Sequence, residues 1–225
     1  MYRGVINVAY RLFGFFSGFP NRRFPREVAK RLKEELTQRG SLVFVSAWPE
    51  EHERNDSDAA GMHGMFAEYD MPFEKHDVID TRMEAAYAAR LVHEASCLFL
   101  MGGYPRLQRE LIRDKGLDAA IGSAAAAVLG VSAGAINMAQ QALDTKESPI
   151  PYQGLRLADI TVKPHFNPAD KQVVEALRQI SFDLPICAME DESAIFVAGD
   201  KITHTGTIHW VSNGEIAPFS EQLLL

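Results

Sequence analysis

Apolar and polar positions along the chain fall into short alternating blocks. RLFGFF, SLVFVSA, SCLFLMGG and VLGV are nearly unbroken apolar runs, the pattern of strands buried on both faces. Between them apolar positions recur three or four residues apart, the period of a helix with one buried face. Pro25 opens such a helix, with Val28, Leu32 and Leu36 on one side and Gly40 ending it. EAAYAARLVHEA is a second, and PRLQRELIRDKG, bounded by Pro105 and Gly116, a third. LDAAIGSAAAA reads as a short helix or small-residue linker. A weaker strand is expected near Phe73 to Val78, and the polar stretch WPEEHERNDSD reads as a loop by composition.

After VLGV, AGAINMAQQAL continues as a helix and DTKESPIPYQG as a loop. ITVKPHF is a strand ending at His165, with Asn167 and Pro168 as cap and first turn of a helix carrying Val173, Val174, Leu177 and Ile180. From Pro185 onward apolar and polar residues alternate around Gly199-Asp200 and Asn213-Gly214, the signature of antiparallel edge hairpins. Strands alternating with helices predict an α/β fold: a three-layer sandwich around a mostly parallel sheet, completed by C-terminal antiparallel hairpins. No repeat or linker divides the 225 residues, which read as one domain with residues 1–10 as an N-terminal extension.

Composition narrows the function classes. A net charge of -7 without any basic run argues against a general nucleic-acid binder. Arg3 and Arg11 interrupt the apolar N-terminus, so no signal peptide is read, and no stretch has the roughly twenty uncharged apolar residues of a spanning helix. Cys97 and Cys187 sit in apolar segments as small buried hydrophobes, too few for a disulfide framework. A cytoplasmic protein that meets neither membrane nor nucleic acid is expected. Exposed hairpin edges could pair two copies in a homodimer.

The candidate chemistry starts at LGVSAGAINMA. Ser132, between Gly130 and Gly134, ends an apolar strand and precedes a helix, the geometry of a nucleophile elbow. Bulky neighbours would collide with so tight a turn, and the N–H of Ala133, in the first helical turn, can face a developing oxyanion. A serine needs a base. Among seven histidines, His52, His63, His76 and His93 fall in loops or on helices, and His204 and His209 lie in the tail. His165 ends a strand directly before a helix, which places it at the carboxyl edge with Ser132.

An acid should hold the base's tautomer. MEDES offers Glu190, Asp191 and Glu192; in an extended approach Asp191 points inward while Glu190 and Glu192 face out. Glu147 and Asp144, between serine and histidine, are rival acids. The second oxyanion amide is expected from Gly103, or else Gly102, after SCLFLM.

LFLMGGYPRLQREL, LGVSAGAINMA, TVKPHFN and AMEDESAIFVAG, in that order and spacing, resemble the aspartyl dipeptidase (peptidase E) and cyanophycinase family of serine peptidases, from about Arg11 to Val197. The resemblance implies a class I glutamine amidotransferase-like fold, a flavodoxin-like sheet with flanking helices, with serine as the nucleophile. It implies Ser132 as nucleophile, His165 as base and an acid within residues 190–192. Asp191 takes the acid position, where the family's usual residue is glutamate, one methylene longer. Some descriptions of the family place the acid between serine and histidine, here Glu147. The dipeptidase branch binds an N-terminal aspartate through a basic residue after the histidine segment; Lys171 and Arg178 are the cations there, in surroundings unlike the family's arginine pattern.

The function expected is therefore peptidase action through an acyl-enzyme on short peptides with an acidic N-terminal residue, without metal or cofactor. Loops from Trp48 to Asp58 and from Asp144 to Gly154 would close the site for exopeptidase action. An esterase, whose order of residues is serine, acid, histidine, is one alternative. A degenerate relative that binds a small acidic ligand is the other.

Overall fold

The computed structural model describes residues 11–224 apart from 147 and 149, so the N-terminal extension and Glu147 lie outside the described residues. In chain order the elements are β1 (Leu12–Phe16), α1 (Arg26–Glu35), β2 (Ser41–Val45), α2 (His52–Ala67), β3 (Lys75–Ile79), α3 (Ala85–Glu94), β4 (Cys97–Leu100), α4 (Pro105–Asp114) and α5 (Asp118–Ser123). They continue with β5 (Ala127–Val131), α6 (Ala133–Met138), β6 (Gln141–Ala142), β7 (Tyr152–Gln153), β8 (Val162–Lys163), α7 (Lys171–Ile180), β9 (Ile186–Met189), β10 (Ala194–Ala198), β11 (Lys201–Thr205), β12 (Ile208–Ser212) and β13 (Glu215–Pro218). A short 3₁₀ turn, Glu221–Leu224, follows.

The central sheet runs β11-β10-β1-β5-β4-β2-β3, with β1, β5, β4, β2 and β3 parallel and the β10–β11 hairpin antiparallel on β1. Its two faces feed separate cores. Phe15, Val43, Val45, Leu98, Leu100 and Val128 pack with α3, α4 and α6 on one side. Phe16, Leu42, Phe44, Phe99 and Leu129 pack with α1 and α2 on the other. This is the expected α/β sandwich with a mostly parallel sheet. A second, four-stranded sheet, β13-β12-β9-β8, has its own small core of Phe166, Leu177, Ile186, Ala188 and Val211.

Five expectations about the elements away from the catalytic residues need correction. The supposed loop WPEEHERNDSD runs into α2, whose buried positions include Asn55 and Ala59 as well as Met65 and Phe66. Small or polar residues in the early turns hid its inner face. The strand expected at Phe73 begins at Lys75; Phe73 is buried just ahead of it. The helix after Ser132 stops at Met138, because Leu155, Arg156 and Leu157 donate their N–H groups to the carbonyls of Asn137, Ala139 and Met138. Gly154 makes that approach possible, since a Cβ there would lie 2.1 Å from the Ala139 carbonyl oxygen. The cap of α7 is Asp170, which accepts from the N–H groups of Gln172 and Val173, and not Asn167. The tail is only partly an edge: β10 lies between β1 and β11, and β9 between β12 and β8.

Candidate active site

The carboxyl ends of three neighbouring parallel strands, β1, β5 and β4, supply the floor. β5 delivers Ser132, whose backbone is left-handed at φ 52° and whose carbonyl accepts from Ile136 N–H in the first turn of α6. The flanking glycines have a steric reason. A Cβ on Gly130 would sit 2.6 Å from the backbone of Gly134, and one on Gly134 would sit 2.1 Å from the Leu100 carbonyl oxygen. β4 is followed, after Met101, by Gly102, where a Cβ would lie 3.6 Å from that of Ser132, and by Gly103. At φ 146° Gly103 adopts a conformation disfavoured for other residues, and a Cβ there would meet the Trp48 indole nitrogen at 2.4 Å.

His165 reaches the serine by an unexpected route. β8 is two residues long and belongs to the smaller sheet, so the histidine does not end a strand of the central sheet. The end of β1 joins the two sheets. Fully buried Ser17 accepts from the His165 N–H at 2.8 Å and donates its hydroxyl to the Met189 carbonyl at 3.0 Å, while its own N–H donates to Ser193. His165 is held there with φ 53°. Gly18 provides the space beside it, because a Cβ would fall 2.5 Å from the imidazole and 2.6 Å from the Asp191 carboxylate. Neither Ser17 nor Gly18 carries a sequence signal of this role, because SGFP reads as an ordinary turn.

His165 Nε2 lies 2.9 Å from Ser132 Oγ, and His165 Nδ1 lies 2.6 Å from Asp191 Oδ1. An ionised carboxylate only accepts, so it fixes the proton on Nδ1 and leaves Nε2 free to accept from the serine hydroxyl. Asp191 does not point inward from an extended strand, as the sequence suggested. It sits in a tight turn closed by Ser193 N–H on the Glu190 carbonyl, with Glu192 at φ 66°. Glu190 instead pairs with His209 at 2.7 Å, and Glu192 accepts from Asn21. His204, the other tail histidine, pairs with Glu221. Asp144 is buried and caps its own turn by accepting from the Lys146 N–H. The His165 and Asp191 side chains are 39% and 45% exposed, so a substrate can reach them.

Beside Ser132 lies a cavity of about 370 Å³, lined by Trp48, Gly103, Tyr104, Asp144, Lys146, Lys163 and His165 among others. Parts of both loops expected to close over the site thus do line it. Lys171 and Arg178 are exposed on α7 and do not. A buried network steadies the Gly102–Gly103 wall: Gln108 donates to the carbonyls of Val45 and Met101, and Asn137 donates to Pro105 and Gln108 and accepts from Tyr152.

The sequence model of peptidase family S51 matches residues 22–205, most of the chain, with Ser132, His165 and Asp191 inside the match. The chain belongs to peptidase family S51. It is a serine-type peptidase on that ground. Among solved structures, a peptidase from an acI-B1 actinobacterium superposes with a TM-score of 0.67 at 16% identity, covering 94% of this chain and 98% of that one. A Listeria monocytogenes protein assigned to peptidase E superposes at 0.64 with 15% identity, covering 88% of this chain and 98% of the other. At such identities these neighbours support the peptidase E fold. None of the curated proteins matches.

Proposed function

We propose that this S51 peptidase hydrolyses short peptides with an acidic N-terminal residue through an acyl-enzyme on Ser132. In this reading Ser132 attacks the scissile carbonyl as His165 takes its proton. Asp191 keeps the imidazole oriented and stabilises its charged form. The N–H groups of Ala133 and Gly103 receive the oxyanion, and His165 then protonates the leaving amine. Water repeats the cycle on the ester and frees the acid. The observation that carries this is the unbroken relay of 2.9 and 2.6 Å from hydroxyl through imidazole to carboxylate. The shorter aspartate serves because its turn brings the carboxylate to the ring. The order serine, histidine, acid along the chain is not that of an α/β-hydrolase esterase.

Two further points complete the reading. A cavity of about 370 Å³ suits a dipeptide better than a long chain, which favours exopeptidase action. The setting we infer is the cytoplasm, a reducing compartment. Cys97 and Cys187 are buried free thiols in different sheets, burial pushing the Cys187 thiol up to about 12 and Cys97 still higher. No helix among the described residues is long and apolar enough to cross a membrane.

A fluorophosphonate probe should label the wild type and leave Ser132→Ala unlabelled. A dipeptide library varied at the first residue should then show hydrolysis concentrated on aspartyl and glutamyl peptides. Absence of labelling in the wild type would sink the acyl-enzyme, and flat hydrolysis would sink the acidic preference.

A further inference from the structure

Lys163 is a buried charged group lining this cavity that the reaction does not use. It sits on β8, two residues before His165, and is 7% exposed. Strand positions this deep usually carry apolar side chains, because a desolvated ammonium is costly unless an anion answers it. Its Nζ donates to the carbonyl of Pro164 at 2.6 Å, one of the three hydrogen bonds an ammonium can donate. Among the described residues it forms no ion pair.

The charges around it come from several elements. Asp144, Asp170 and Asp191 favour the ammonium from a distance, and Lys146 opposes it. Burial, reinforced by Lys146, holds the Lys163 pKa below the ordinary lysine range. Asp144, the one carboxylate lining the same cavity among the described residues, is turned to its own loop through the Lys146 N–H. Two lysines therefore line one small chamber with Ser132 and Asp144, and among the described residues neither lysine forms an ion pair there. An anion entering that chamber gains from both and relieves their mutual repulsion.

We propose that Lys163, assisted by Lys146, forms a carboxylate-binding subsite beside Ser132, and that this pair, not Lys171 or Arg178, reads the charge of the substrate. The inference rests on the peptidase reading for its substrate but not for its ligand chemistry, which is a carboxylate on a small molecule. That carboxylate has two sources in a dipeptide: the side chain of an acidic first residue, or the free C-terminus.

The test measures kcat/KM on Asp-Ala, Asn-Ala and Asp-Ala-amide for wild type, Lys163→Met, Lys163→Gln and Lys171→Ala. In the wild type one carboxylate should be worth about 10–100-fold, read as Asp-Ala over Asn-Ala for the side chain or Asp-Ala over the amide for the C-terminus. That ratio should fall close to unity in both Lys163 variants and persist in Lys171→Ala. Lys163→Met should melt no lower than wild type, since it removes an unpaired buried charge. Ratios unchanged in the Lys163 variants would overturn the subsite. If the wild type is labelled by fluorophosphonate yet cleaves no peptide, the substrate reading fails alone, and protection from labelling by succinate decides the subsite. Protection lost in both Lys163 variants supports it; no protection in the wild type overturns it.

Discussion

Two polar corners lie along the same carboxyl edge of the central sheet. Beyond β2 and β3, Ser46 donates to Asn55, Asn55 donates to Asp80, and Arg82 clamps Asp80 and Asp56 together. Each group there answers another. Beyond β1 and β5, by contrast, Ser132, His165 and Glu192 hold left-handed backbones, Lys163 lacks a counter-ion among the described residues, and the relay ends on a hydroxyl facing a cavity. The cavity at the closed corner is the larger, about 590 Å³ against about 370 Å³, so size does not mark the site. Incomplete pairing and stored backbone strain do, because a network that is already satisfied has nothing left to offer a substrate.

The sharpest way to break this contrast is to neutralise one carboxylate in each corner. Asp191→Asn keeps the shape of the open corner but favours the wrong tautomer, and should lower kcat on the order of 10⁴-fold, as for the aspartate of a well-studied triad. Asp80→Asn should leave kcat within about a factor of two or three, since that carboxylate meets no part of the relay. Steady-state kinetics on one acidic dipeptide compares both. Similar losses in the two variants would erase the distinction between the corners.

A smaller effect comes from Gly18. Alanine suits the local backbone, which is not left-handed, but its Cβ would fall 2.5 Å from the imidazole and 2.6 Å from the Asp191 carboxylate. The pair must shift by several tenths of an ångström. Gly18→Ala is expected to cost roughly 10²-fold in kcat with an unchanged far-ultraviolet circular dichroism spectrum. A variant of full activity would show that the relay tolerates movement and that the strained geometry is incidental.

What the sequence disclosed divides along the same line. Ser132 was legible because its constraint is local: flanking glycines and an adjoining strand and helix signal one tight turn. His165 was legible as a residue but not in its route, since a two-residue strand cannot announce that it belongs to the smaller sheet. Ser17 and Gly18 matter through partners far along the chain, with Ser17 bonded to residue 165 and Gly18 leaving room for the side chains of residues 165 and 191. Such long-range pairing has no spacing signature. The central sheet was readable from its apolar runs, whereas α2 was not, because Asn55 and Ala59 occupy inner positions that larger apolar residues would have marked.

The smallest effect probes the closed corner itself. Burial pushes the Asp80 carboxyl up, but hydrogen bonds from the Arg82 side chain and backbone and from Asn55 outweigh it and hold its pKa below the usual value. A carboxyl lowered in the folded state contributes stability that is fully present above its unfolded pKa, near 3.9, and is lost as the pH falls through the folded pKa. Arg82 is 42% exposed, so water screens much of the attraction, and Asp80→Asn should lower the melting temperature by only about 2–4 °C at pH 7. That difference should stay constant from about pH 8 to pH 5 and shrink below about pH 4, where the wild-type carboxylate also loses its charge. Calorimetric scans of both proteins across that range test it. A gap that persists unchanged in acid would mean that the clamp acts through packing alone, and that charge does not close this corner.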